Sequence, residues 1–156
     1  MNKVLKKLII ALGSDILMDD ALSIILAKDI IQSFPDFELQ IFPAGGIDLI
    51  ELIAGYNLVV IIDTMISPDG KPGEMILFND VQTARTLHLL NPHDVDFHTS
   101  IKLAKELGYR LPEKIVVLGI LIRQQLMASR VLSSLILEKY CKLVEQVKKV
   151  IMQLNT

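Results

Sequence analysis

Residues 8–12, LIIAL, are apolar without interruption and stop at Gly13. A run this short, with no polar alternation, is what a strand covered on both faces requires. The pattern returns at residues 58–62, LVVII, which lead into Asp63, and at residues 114–120, KIVVLGI. Strands buried on both sides need a layer above and a layer below. That demand selects an α/β sandwich with a mostly parallel sheet before any other feature is considered.

The segments between these runs supply the missing layers. Asp19 and Asp20 open a helix that runs to about Ser33, with Ala21, Leu22, Ile24, Ile25, Ala27, Ile30 and Ile31 forming a wide apolar face. Carboxylates suit a helix start, where N–H groups are unpaired and the dipole is positive. Residues 38–42 read as a strand, residues 43–46 (PAGG) as a turn, and residues 47–54 as a short helix closed by Gly55. Dense turn chemistry, SPDGKPG at 67–73, precedes a brief edge strand at 75–78. Residues 79–92 show no firm period and read as loop, with room for a helical turn. Residues 97–107 form a helix ending at Gly108, and residues 129–154 a long helix. In the latter, Leu132, Leu135, Ile136, Tyr140, Leu143, Val147 and Ile151 make one stripe. The expected architecture is a three-layer sandwich, about five strands between helices.

Composition narrows the function. A chain of 156 residues fits one domain, taken as 1–156. The balance of 16 basic against 18 acidic residues gives a net charge of −2, which argues against nucleic acid as a partner. Cys141 is the single cysteine, so no internal disulfide forms, in keeping with a cytoplasmic location. Lys6 and Lys7 divide the apolar start, so no signal peptide is expected. No run approaches the ~20 apolar residues of a membrane span.

Open parallel sheets bind ligands beyond the carboxyl ends of their strands. Asp63 stands at such an end; Asp19, Asp20 and His93, in NPHDVDFH, lie in segments that could reach it. Two carboxylates and one imidazole make an O,O,N donor set suited to zinc, nickel, manganese or iron rather than copper(I). Simpler roles compete: Asp19 and Asp20 as helix caps, Asp63 as a turn former, His93 as a surface histidine. His88 and His98 read as structural or solvated.

In sequence order these segments together resemble the hydrogenase maturation endopeptidases. The features are LIIALGSDILMDDALSIILAKDI, then Gly45-Gly46 before a short helix, then LVVIIDT, Pro72-Gly73 before MILF, PHDVDFHTSIKLAKELG, and IVVLGI before the terminal helix. The resemblance covers nearly the whole chain and implies a twisted sheet between helices of the phosphorylase/hydrolase-like kind. The activity it implies is removal of the C-terminal extension of a nickel–iron hydrogenase large-subunit precursor, whose nickel is the recognition element. Carried over by position, the implied metal contacts are Asp20, Asp63 and His93, with Asp20 and Asp63 the implied catalytic carboxylates. Nickel would arrive with the precursor, and zinc or cadmium could occupy the site in vitro. Ser14 and Asp15 after Gly13, Ala21 after the acidic pair, and Ala44 before Gly45 depart from the family pattern but spare those three positions. So does LIRQQLMAS at residues 121–129, where the family has acidic or proline-rich residues.

Three other readings compete. A family-like protein could bind metal or precursor without cleaving. A phosphoacceptor receiver domain also joins an acidic pair to a strand-end Asp, but its pair ends the first strand and a Lys ends its last. Here the pair follows Gly13 by six residues, and IVVLGI ends without a Lys. A dinucleotide-binding domain would need further glycines after Gly13.

Overall fold

The computed structural model describes residues 4–14, 18–43, 45–90, 95–123 and 132–156. Five strands are present among the described residues: β1 (Lys7–Leu12), β2 (Phe37–Phe42), β3 (Leu58–Met65), β4 (Met75–Phe78) and β5 (Lys114–Leu121). They form one sheet in the order β2-β1-β3-β5-β4. β1 pairs in parallel with both β2 and β3, and β3 in parallel with β5. β4 runs antiparallel to β5 at the edge. Among the described residues the α-helices are α1 (Leu22–Ile30), α2 (Asp48–Ile53), α3 (Phe97–Glu106) and α4 (Ser134–Leu154).

Alternation along the buried strands sends successive side chains to opposite faces. Ile9, Ala11, Val60, Ile62, Val116 and Leu118 meet Leu22, Leu26 and Ile30 of α1 and Ile136, Leu143 and Val147 of α4. Leu8, Ile10, Val59, Ile61 and Val117 meet Leu49 and Ile53 of α2 and Phe97 and Ile101 of α3. The sheet therefore carries a core on each side, as its uninterrupted apolar runs require.

Several expected boundaries move. β3 continues past Ile62 to Met65, so Asp63 lies within the strand, opposite Gly119 of β5. The ladder holds because β5 also extends, to Leu121. The terminal helix begins at Ser134, with Ser133 in an extended capping conformation at its entrance, while residues 129–131 lie outside the described residues. The Asp19–Ser33 helix is three joined pieces: a 3-10 turn at Met18–Ala21, α1, and a second 3-10 turn at Ile31–Ser33.

Candidate active site at the carboxyl end of the sheet

β1 and β3 are neighbours, yet the chain leaves β1 through α1 on one face and enters β3 through α2 on the other. The sheet order reverses there, and the diverging connections leave a crevice of the kind that holds ligands in open α/β folds. Asp20 follows β1 into this crevice, and Asp63 and Thr64 reach it from β3.

Asp63 and Thr64 are consecutive and so serve opposite faces. Asp63 is fully buried. Its Oδ1 accepts from the Thr64 backbone N–H at 2.9 Å and lies 2.6 Å from His88 Nδ1; its Oδ2 accepts from the His88 backbone N–H at 2.9 Å. A carboxylate without access to water needs such donors, because an unpaired buried charge is strongly unfavourable. On the other face the Thr64 hydroxyl donates to Asp20 Oδ1 at 3.2 Å. Asp20 Oδ2 accepts from the Ser14 N–H at 3.0 Å and stands 3.5 Å from His88 Nε2. One imidazole thus bridges the two acidic residues.

Two glycines make the approach possible. A Cβ on Gly13 would lie 2.4 Å from the Asp20 carbonyl oxygen, and one on Gly45 would lie 2.1 Å from that of His88. Only glycine lets the loops that carry Asp20 and His88 close so tightly on the strand ends. Residues 79–90 are further held by the Leu87 N–H, which donates to the Thr64 carbonyl at 2.9 Å, and by Ala84 and Leu89, which are fully buried.

The electrostatics follow from this contact. Burial alone would favour a neutral His88 ring, but hydrogen bonds and charge from Asp20 and Asp63 push its pKa up to about 10. Burial would likewise oppose charge on Asp20. The His88 hydrogen bond and charge, the Ser14 N–H and the Thr64 hydroxyl outweigh it and hold the carboxyl below its ordinary range. Asp20 is therefore an anion at neutral pH, and a weak base.

Of the residues singled out from sequence, Asp20 and Asp63 each stand beside His88 at the strand ends, while His93 lies outside the described residues. Asp19 turns away: it accepts from the Ser133 N–H at 2.8 Å and its hydroxyl at 2.7 Å, tying the start of α4 to the acidic turn. His98 is structural as read, buried and 3.1 Å from an Arg85 guanidinium nitrogen. His88, read from the sequence as structural or solvated, is the imidazole that stands between the two carboxylates. It sits in a segment without periodicity, and no spacing signal tied it to Asp63, 25 positions away. Among the described residues no three His, Cys, Asp or Glu side chains are arranged as a ready metal cage.

The HycI hydrogenase maturation protease family model matches residues 26–154. The chain belongs to the hydrogenase maturation protease family. Solved structures agree with this maturation protease in fold. The hydrogenase maturating endopeptidase HybD from E. coli superposes with a TM-score of 0.73 at 19% identity, covering 96% of this chain and 93% of that one. A [NiFe] hydrogenase maturation protease HybD from Thermococcus kodakarensis gives 0.68 at 25% identity, with 94% and 99% covered. The HycI protease of the same organism gives 0.65 at 22% identity, with 94% and 92% covered. No curated protein sequence matches the maturation protease significantly.

Proposed function

We propose that this hydrogenase maturation protease processes the nickel-loaded large-subunit precursor of a nickel–iron hydrogenase, removing its C-terminal extension at the crevice between β1 and β3. The observation that carries the placement is the convergence of Asp20 and Asp63 on one imidazole at that crevice. Asp20, Asp63 and His93 are the members of the site that the family resemblance supplies, with nickel brought by the precursor as part of the substrate. The donor chemistry fits a divalent ion of this kind: carboxylate oxygen and imidazole nitrogen bind first-row metals well. Zinc or cadmium would serve as stand-ins in vitro.

The low pKa of Asp20 bears on mechanism. An effective general base has a pKa near the working pH. A carboxyl held below its ordinary range suits anchoring a cation and organising charge better than abstracting a proton. Asp20 would help hold a nickel ion carried by the precursor, and such an ion would supply Lewis-acid chemistry at the cleavage site. The chain's own part is to orient the precursor at the strand ends and to keep Asp20 charged.

We place the activity in the cytoplasm, where a lone, exposed Cys141 meets reducing conditions. Among the described residues no helix is long and apolar enough to cross a membrane.

The test is incubation of the purified chain with nickel-loaded and nickel-free precursor, followed by mass spectrometry of the large subunit. Loss of the C-terminal peptide from the loaded form only is expected. Asp20→Asn, Asp63→Asn and His93→Ala should each slow it while the chain stays folded. Binding of the loaded precursor with no cleavage under any condition would instead make this a non-cleaving member of the family.

A further inference from the structure

Resting on the reading that this chain processes a precursor protein, we propose that the outer edge of β4 is where that precursor docks. An extended acidic stretch of it adds to the sheet as a further strand, and its carboxylates meet lysines of α4 and of the 67–73 turn.

β4 ends the sheet, and its outer side has no strand partner among the described residues. The Glu74 carbonyl accepts from the Leu121 N–H at 2.8 Å. Backbone groups alternate in direction along an antiparallel ladder, so Ile76 and Phe78 also face β5, while Met75 and Leu77 present N–H and C=O outward. Edge strands that avoid pairing carry a Lys, a Pro or a bulge. MILF carries none of these: its register with β5 is unbroken, and Ile76 and Leu77 are 38% and 40% exposed. Such an edge receives extended peptides main chain to main chain.

Charge says which peptide. On the α4 side of the edge lies a cavity of about 420 Å³ whose lining includes Lys71, Glu74, Met75, Lys139, Lys142 and Gln146. Lys139, Lys142 and Gln146 are spaced to share one face of α4. The Lys139 ammonium donates to the Pro72 carbonyl at 2.8 Å, which fixes its position and leaves its charge. Glu74 turns to the Lys71 backbone N–H, 3.3 Å from its Oε2. Among the described residues no carboxylate pairs with the three ammonium groups, so the cavity is cationic. Side chains alternate along an added strand. Every second residue of the occupant therefore points at the lysines and should be Asp or Glu. The others lie beside Ile76, which faces away from α4, and should be apolar.

Geometry favours the precursor over a second copy of this chain. Asp63, Gly119 and Ile76 form one row across the sheet. At about 4.8 Å per strand, a segment added to β4 lies roughly 14 Å from Asp63, a span that about five extended residues cover. One substrate chain can occupy edge and crevice together. Antiparallel pairing of two β4 edges would join only four residues from each copy. That falls short of the ~800 Å² per partner of a stable interface. It would also set two rows of α4 lysines on the same side of the joined sheet, where like charges repel.

The probe is a fluorescein-labelled peptide of about eight residues alternating Glu and Val, with a Lys–Val counterpart. The wild type should bind the acidic peptide alone, read by anisotropy. Hydrogen exchange at the Met75 and Leu77 amides should then slow, while Ile76 and Phe78, already bonded to β5, change little. N-methylation of alternate peptide amides should abolish binding for one set of positions and spare it for the other. These readings need no variant to fold. Lys71→Glu combined with Lys142→Glu, both at exposed positions, should raise KM for the precursor roughly 10-fold with kcat unchanged. In the wild type the acidic peptide should compete with the precursor. No binding of the acidic peptide, or binding without protection at Met75 and Leu77, overturns the proposal. So does protection that grows with protein concentration in the absence of peptide, since the edge then holds a second copy. Normal cleavage with an unchanged KM in the charge-reversed chain removes the docking site and leaves the proposed function standing. A wild type that binds the precursor without cutting it, and loses that binding on charge reversal, does the opposite.

Discussion

His88 grips Asp63 twice, through ring Nδ1 at 2.6 Å and through its own backbone N–H at 2.9 Å. The pair welds the 79–90 segment to the third strand, and the imidazole is then aimed across the crevice at Asp20.

Breaking that grip should damage both folding and processing. Asp63→Asn puts an amide among three donors, so at least one buried N–H loses its acceptor. We expect a loss of about 2–3 kcal/mol in urea unfolding, with the chain still folded at 25 °C. Precursor cleavage should fall at least about 10-fold. Normal cleavage by this variant would mean that the crevice is not the working site.

The pH dependence of stability carries a sign. The folded His88 pKa, about 10, exceeds the ordinary value of 6.5. Its contribution is therefore complete below about pH 6.5 and fades as pH rises toward 10. Unfolding free energies of the chelator-treated wild type and of His88→Gln should differ most near pH 6 and converge by pH 10. A gap that widened over that interval would contradict the charged, doubly bonded ring.

Glycine positions separate crowding from backbone strain. Gly45→Ala would drive a methyl into the His88 carbonyl, so the loop must move and processing should drop sharply. Gly108 has a φ of +79°, and a methyl added there would meet nothing within 4 Å. Gly108→Ala should thus cost only about 1 kcal/mol of stability and leave processing intact. Thermal melts beside a cleavage assay distinguish the two.

The adjacent aspartates should behave as opposites. Asp19→Ala removes two hydrogen bonds to Ser133 and loosens the entrance of α4, a stability loss of about 1–3 kcal/mol with cleavage retained in the folded fraction. Asp20→Asn should abolish most cleavage with the chain still folded, its loss of stability coming from the weakened His88 contact and confined to pH values where that ring is charged. Equal effects from both would erase the distinction between them.

Much of the frame could be read from the chain because it is written in short-range pattern. LIIAL, LVVII and IVVLGI admit no face for water, and each is a central strand of the sheet. MILF, isolated among turn residues, is the antiparallel edge. The site was legible in part: Asp20 and Asp63 stand beside buried strands, where acidic residues draw notice. The division between Asp19 and Asp20 was not, since both are compatible with a helix start and only the position of Ser133 decides which turns where. Nor was His88. Its role depends on Gly45 and on a loop whose path is set by buried Ala84 and Leu89, contacts between segments that no local periodicity records.

The pairing of Asp63 with Thr64 has a mechanical consequence. Adjacent positions in one extended strand hold two separate loops, one above the sheet and one below. A slip of β3 by a single position would exchange their directions and release both loops together. Neither half of the crevice can therefore drift alone, and whatever bears on one loop is felt at once by the other through a single peptide bond.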